Sequence, residues 1–187
     1  NSLYGNSGNA VHTLQEFTSD ATMQPGRQGD WVDGGKWQNF FLHNFASSVD
    51  TYNNVWSNLY KVVGLCNSSI DKLQGLAETV PASQDYIYEL RALRAIFYYY
   101  LMDLYGQIPL VTSSSVSTSD VAQSNRSKVF EFVTSELADC IPHLSDQPCQ
   151  KKGEYYGRIT KAVAYMCMAK CALNAPVYTI DNTSETS

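Results

Sequence analysis

Apolar residues recur along this chain at spacings of three and four, the mark of one face of an α-helix. The clearest case runs from Glu89 to Thr112. Leu90, Leu93, Phe97, Leu101 and Leu104 share one face, and Tyr98, Tyr99, Tyr100 and Tyr105 widen it into an aromatic band. Gly106 follows the last periodic residue, where a left-handed residue ends a helix. Pro109 forbids a return to helix, so Ile108, Leu110 and Val111 read as a buried extended run. With Pro81 as its opener, this helix is expected over roughly residues 82–105. The same spacing predicts a helix from Asp50 or Thr51 to about Leu76, with Val55, Trp56, Leu59, Val62, Val63, Cys66, Ile70 and Leu73 inward. Another begins at Ser127, turns Val129, Phe130, Val133 and Leu137 inward, and ends at Pro142. Thr160 is expected to cap a last helix over residues 161–174. That helix is apolar nearly all round and is expected to be packed on several sides. Residues 10–19 complete the set with a short helix carrying Val11, Leu14 and Phe17.

Between these stretches lie two long polar segments. Residues 112–124 are rich in Ser and Thr and read as a surface loop. Residues 20–48 read as a longer loop holding Pro25, four glycines and two of the three tryptophans. Loops of this length in compact domains are usually functional or disordered, and the aromatic content argues against disorder. The pattern predicts an all-α fold of helix pairs joined by loops of varied length. Ala162, Ala164, Ala169 and Ala172 would let neighbouring helices approach closely, as in tetratricopeptide-type stacks, although no 34-residue repeat is legible.

Composition narrows the function classes. With 44% hydrophobic and 17% charged residues, the chain is globular rather than disordered. Its 187 residues suggest one domain. The formal net charge is −5, and no basic cluster exceeds Lys151-Lys152, so the footprint of a nucleic-acid binder is missing. No apolar run approaches the ~20 residues of a membrane-spanning helix. No basic segment leads into an apolar core at Asn1, so no signal peptide is read there. Five cysteines, an odd number, argue against a full disulfide framework. Cys167 and Cys171 are four apart on a predicted helix, but no His lies near in sequence. Buried apolar roles are expected for the cysteines, with Cys140 and Cys149 the pair to test for a disulfide. No metal or other cofactor is expected.

The residues richest in chemistry lie between Arg27 and His43. A sugar ring offers an apolar face of C–H groups and a rim of hydroxyls. Recognition needs a flat aromatic for the face and planar polar groups for the rim. Trp31 and Trp37 are candidate platforms. Arg27, Asp30, Asp33 and Asn39 are candidate rim contacts, and nearby glycines allow close backbone approach. Equally, one or both tryptophans could tuck under the loop and anchor it. A glycosidase needs two carboxylates at a controlled separation. Asp30 and Asp33, three apart in a Gly-rich loop, set no such distance, so a non-catalytic protein is expected. The ligand periodicity of a calcium loop is absent too. His12, His43 and His143 are scattered, with no nucleophile motif nearby.

Several blocks together resemble the SusD/RagB family of surface glycan-binding lipoproteins from Bacteroides-type bacteria. Arg91 to Val111 is close to its R-A-x-R-A-F-Y-Y-x-x-L-x-x-x-Y-G-x-x-P-L-V run. Glu16-Phe-Thr-Ser-Asp20 resembles its acidic S/T-D turn. Trp56-x-x-x-Tyr60 with Cys66-Asn67 and Ile70 resembles its W-x-x-x-Y helix. Arg126-Ser127 with Val129-Phe130, and Gly157-Arg158 through Val177-Tyr178, resemble two later blocks. These are packing and turn signatures, strong for fold and weak for ligand. The resemblance implies irregular tetratricopeptide units. It also implies capture of oligosaccharide at the outer face of the outer membrane and delivery to a TonB-dependent, SusC-like transporter. Relatives often place ligand aromatics between the S-D turn and the W-x-x-x-Y helix, which adds His43 and Phe45 to the candidates. Family members are much longer, so residues 1–187 are expected to be a single N-terminal helical domain of a larger protein. The leader and lipid-anchor cysteine would lie outside it, with residues 20–48 as the ligand loop. The alternative is a helical scaffold that binds another protein without binding sugar. Sequons at Asn67, Asn125 and Asn182 carry little weight in a chain resembling a bacterial family.

Overall fold

The computed structural model folds the periodic stretches into helices close to where their spacing places them. It describes Leu3, Tyr4 and residues 9–181, so Asn1 and the Asn182 sequon lie outside the described residues. The helices are α1 (Val11–Phe17), α2 (Lys36–Phe41), α3 (Asp50–Gln74), α4 (Ser83–Tyr105), α5 (Arg126–Cys140), α6 (Lys161–Leu173) and α7 (Ala175–Tyr178). Two short strands, β1 (Ile108–Pro109) and β2 (Gln123–Ser124), pair antiparallel. The fold is all-α, with this pair as its minor strand component. The chain divides into two compact units, Asn1–Tyr60 and Lys61–Ser187.

The first unit gathers around aromatic rings. Phe17 of α1 lies 5.0 Å from Trp37 of α2, and Trp37 meets Phe40 edge-on at 5.9 Å. Phe40 in turn lies 5.6 Å from Tyr52 near the start of α3. Val11, Leu14, Val55 and Leu59 complete the buried apolar set.

The second unit is built on α4 and the extended run after it. Gly106 ends α4 with φ 72° and ψ −98°, a conformation open to glycine and costly for other residues. The chain then turns extended, as expected, and is pinned from below. Tyr98 Oη donates to the Val111 carbonyl oxygen at 2.7 Å and accepts from Val111 N–H at 2.8 Å. Asn67 Nδ2 donates to the same carbonyl at 2.9 Å. Arg94, only 5% exposed, donates to Asn67 Oδ1, to the Thr112 carbonyl and to Glu136 of α5. Arg91 forks onto the same Glu136 carboxylate. A buried guanidinium is tolerable only when paired and hydrogen-bonded, and here one carboxylate serves two arginines. The two arginines of the R-A-x-R run thus clamp α3, α4 and α5 around the extended segment.

Four details differ from the sequence reading. Residues 20–48 are not one loop: a 3₁₀ turn at Asp33–Gly35 leads into α2. Thr160 does sit before α6, but its side chain makes no capping bond and its Oγ1 is buried without a partner. Helix α6 is not packed on several sides. Ala164, Cys167 and Cys171 are buried, whereas Tyr165, Met166 and Leu173 are exposed, Leu173 at 81%. Lastly, a further short helix, α7, follows the expected last one, with Pro176 near its start, where its missing N–H is harmless. There Tyr178 is buried and its hydroxyl donates to Asp103 at 2.5 Å.

All five cysteines are free thiols, Cys140 and Cys149 included. No group of three or more potential metal ligands occurs among the described residues. No described helix is long and apolar enough to cross a membrane.

Candidate functional site

The candidate residues between Arg27 and His43 fall on a tight turn, a 3₁₀ turn and α2. Arg27 N–H donates to the Asp30 carbonyl at 3.1 Å, and Asp30 N–H donates back to Arg27 at 2.8 Å. The two central residues, Gln28 and Gly29, have φ of 49° and 89°. Positive φ at both central positions is the signature of a type I′ hairpin turn. Arg27 and Asp30 therefore face each other across two residues, and Trp31 follows at once.

Trp31 itself has φ 57°, and Asp33 and His43 also carry positive φ, 37° and 56°. Such conformations are uncommon for residues other than glycine and concentrate at binding sites. Trp31 is 53% exposed. Together with Gln24, Pro25, Arg27, Gln28 and Asp30 it lines a cavity of about 490 Å³, within the range of small-molecule sites. A flat aromatic, two amides, a guanidinium and a carboxylate thus converge on one space.

The structure separates the two tryptophans by role. Trp37 is 5% exposed. Its indole Nε1–H donates to Asp33 Oδ2 at 2.5 Å, and Trp31 leans on it with ring centroids 5.9 Å apart. Lys36 covers the same indole at 4.9 Å and forms an ion pair with Asp50 at 3.6 Å. Asp33 and Trp37 thus form the mount beneath Trp31. Asn39, on α2, and His43 do not line the cavity. His43 Nε2 sits 2.8 Å from the Thr18 carbonyl oxygen, tying the end of α2 to the turn after α1. Gln24 and Gln28 were missed in the sequence, where an amide in a loop carries no distinctive signal.

A larger cavity, about 630 Å³, lies in the second unit between α3, α4 and the Gly157–Ile159 segment. Its walls include Leu73, Leu90, Leu93 and Ile159. The charged pair at its edge, Arg158 with Glu89, is bidentate and self-satisfied, and Arg158 also stacks over Tyr86 and Tyr155. Size favours this cavity, and Tyr86 and Lys72 on its rim are exposed, but its lining is mostly apolar, whereas the hairpin cavity gathers two amides, a guanidinium and a carboxylate beside Trp31.

Against protein families, residues 2–173 match the SusD-like model described as starch-binding and associating with the outer membrane. The chain belongs to the SusD-like family. Among curated relatives, a SusD-like protein of Bacteroides ovatus is 26% identical over 153 residues, covering 79% of this SusD-like chain and 27% of that protein. Among solved structures, a laminarin-binding SusD-like protein superposes with a TM-score of 0.73 at 24% identity, covering 91% of this chain and 36% of that one. Surface glycan-binding protein A of Bacteroides uniformis gives 0.75 at 22% identity, covering 90% and 37%. At these identities the solved structures speak to the fold. The chain spans roughly a quarter to two fifths of the length of these relatives.

Proposed function

We propose that this SusD-like chain contributes a non-catalytic glycan-binding site, with Trp31 as the stacking platform and Arg27, Asp30, Gln24 and Gln28 as partners for the hydroxyl rim. The observation that carries this reading is the exposed Trp31 mounted on the buried Trp37 indole, itself held by Asp33, beside the hairpin cavity. A preorganised ring binds with less ordering cost than a mobile one. Asp33 supports the non-catalytic reading, because its carboxylate is committed to the Trp37 indole rather than paired with Asp30 across a ligand. Of the seven residues anticipated, Arg27, Asp30 and Trp31 are assigned to ligand. Asp33, Trp37, Asn39 and His43 are assigned to the frame. The family description and the laminarin-binding neighbour support sugar as the ligand class. In this reading the protein works at the outer face of the outer membrane, lipid-anchored, and passes oligosaccharide to a TonB-dependent, SusC-like transporter.

The test is affinity electrophoresis of the full-length protein on starch and laminarin gels, beside Trp31→Ala. Retarded wild type and unretarded variant are expected. Equal retardation of both would move the site away from the hairpin.

A second reading, a scaffold for another protein, is favoured by one observation. Tyr165, Met166 and Leu173 leave an apolar stripe of α6 open to solvent, and contiguous exposed apolar surface marks interaction sites. Stable co-purification with a transporter, without any sugar response, would favour it.

A further inference from the structure

The cavity of about 630 Å³ in the second unit has no part in the proposed glycan site. Its lining is chiefly aliphatic. Leu73 of α3 and Leu90 and Leu93 of α4 pack against the buried Cys66, Ile70 and Ile87. They remain only half-buried, and with Ile159 they line the cavity. The segment that carries Ile159 is held in place from both directions. Gly157, with φ 74°, donates its N–H to the Cys149 carbonyl at 3.0 Å, and Arg158 forks onto Glu89 of α4. A preformed space of this size, apolar with a few polar groups, has the form of a small-molecule site.

The charges around this space do not balance. Arg158 and Glu89 answer each other, and Glu154, 3.8 Å from Arg158, is not a lining residue. Lys72, in the last turn of α3, lines the cavity, is exposed and forms no ion pair among the described residues. One cation is left over beside an aliphatic surface. We infer that this cavity binds a small monoanionic amphiphile, a free carboxylic acid. Its apolar body would lie on Leu73, Leu90, Leu93 and Ile159, and its carboxylate would pair with Lys72. This site lies outside the glycan reading and stands without it. A sugar, ringed by hydroxyls, finds too few polar partners here, because the main polar pair is already self-satisfied. Covering the leucines supplies most of the affinity, in proportion to the apolar area removed from water. An exposed ion pair adds little by itself, so the ammonium selects the charge of the head group rather than setting the strength of binding.

The test is calorimetric titration of the full-length protein with sodium octanoate below its micelle concentration, beside acetate and octanol. Octanoate is expected to bind and acetate, which lacks the apolar body, is not. Lys72→Glu exchanges attraction for repulsion at an exposed position, where folding is not at stake. It should weaken octanoate about fivefold or more and leave octanol unchanged. Ser69→Trp, which adds bulk to a residue lining the cavity, should abolish binding of both. Leu173→Lys and Trp31→Ala should keep the wild-type octanoate affinity, since neither residue lines this cavity. Absence of octanoate binding by the wild type, or an octanoate affinity unchanged in Lys72→Glu, would overturn the inference. So would loss of binding in Leu173→Lys, which would move the amphiphile to the open face of α6. None of these outcomes touches the Trp31 reading, which is tested on glycan alone.

Discussion

At the scale of single residues, two tryptophans six positions apart do opposite work. Both stood out in the sequence as aromatic platforms, and nothing in their neighbours told them apart. The separating features are burial and one hydrogen bond. The Asp33–Trp37 contact was not legible, because residues 20–48 read as a loop and a spacing of four brings two residues together only where the chain is helical. The distinction predicts a dissociation of effects. Trp37→Ala removes a buried ring and is expected to cost about 3–5 kcal/mol. Trp31→Ala removes an exposed one, so stability should hold within about 0.5 kcal/mol while glycan binding is lost. Urea denaturation of both variants beside a binding assay checks this. A Trp31 variant as unstable as the Trp37 variant would show that Trp31 is an anchor too. Asp33→Ala should fall between them, costing about 1 kcal/mol for the lost indole partner.

At the scale of elements, helix existence and facing were legible wherever the apolar period ran for three turns or more. Helices α3, α4 and α5 begin and end within a few residues of the expected positions. Short elements were not legible. Helix α2 spans six residues and packs through two rings, too few positions to show a period, and its left-handed entry at Gly35 reads as a loop. Helix α7 was hidden by Pro176, which serves equally to end one helix or open another. The all-apolar α6 misled because composition counts its faces without knowing which have neighbours. The role of the arginine run was equally hidden, since Glu136 lies 42 and 45 residues away from its two partners. That clamp makes a prediction at this scale. Glu136→Gln keeps the shape but leaves Arg94 buried without its carboxylate, and should destabilise by about 3 kcal/mol. Leu173→Lys, on the open face of α6, should stay within about 0.5 kcal/mol. Chemical denaturation of the pair decides. A silent Glu136 variant would mean that the clamp contributes nothing net.

At the scale of the whole molecule, the burial that builds the helical unit also fixes how its stability responds to alkali. Cys66 on α3 and Cys140 on α5 are free, buried thiols. Burial pushes each from 9.0 up to about 11, against the lowering pull of the neighbouring arginines. Tyr99 is pushed up to about 12, first by burial and then by the nearby Asp103 charge. All three groups are neutral when protonated and bind their protons more tightly folded than unfolded. Their contribution is therefore complete below about pH 9, where both states are protonated. The thiols' share is lost as pH rises towards about 11, and that of Tyr99 between about 10 and about 12, because the unfolded chain releases its protons first. A two-unit rise corresponds to about 2–3 kcal/mol per thiol. The expected result is a plateau in unfolding free energy up to about pH 9 and a steep fall beyond it. Cys66→Ala and Cys140→Ala lower the plateau by removing packed sulfur, yet each should flatten the fall. The slope against pH, not the absolute stability, is the readout, followed by urea titration in reducing buffer. An alkaline limb equally steep in both variants would place the response elsewhere, in the tyrosines of α4 and α7, and overturn the assignment to the thiols.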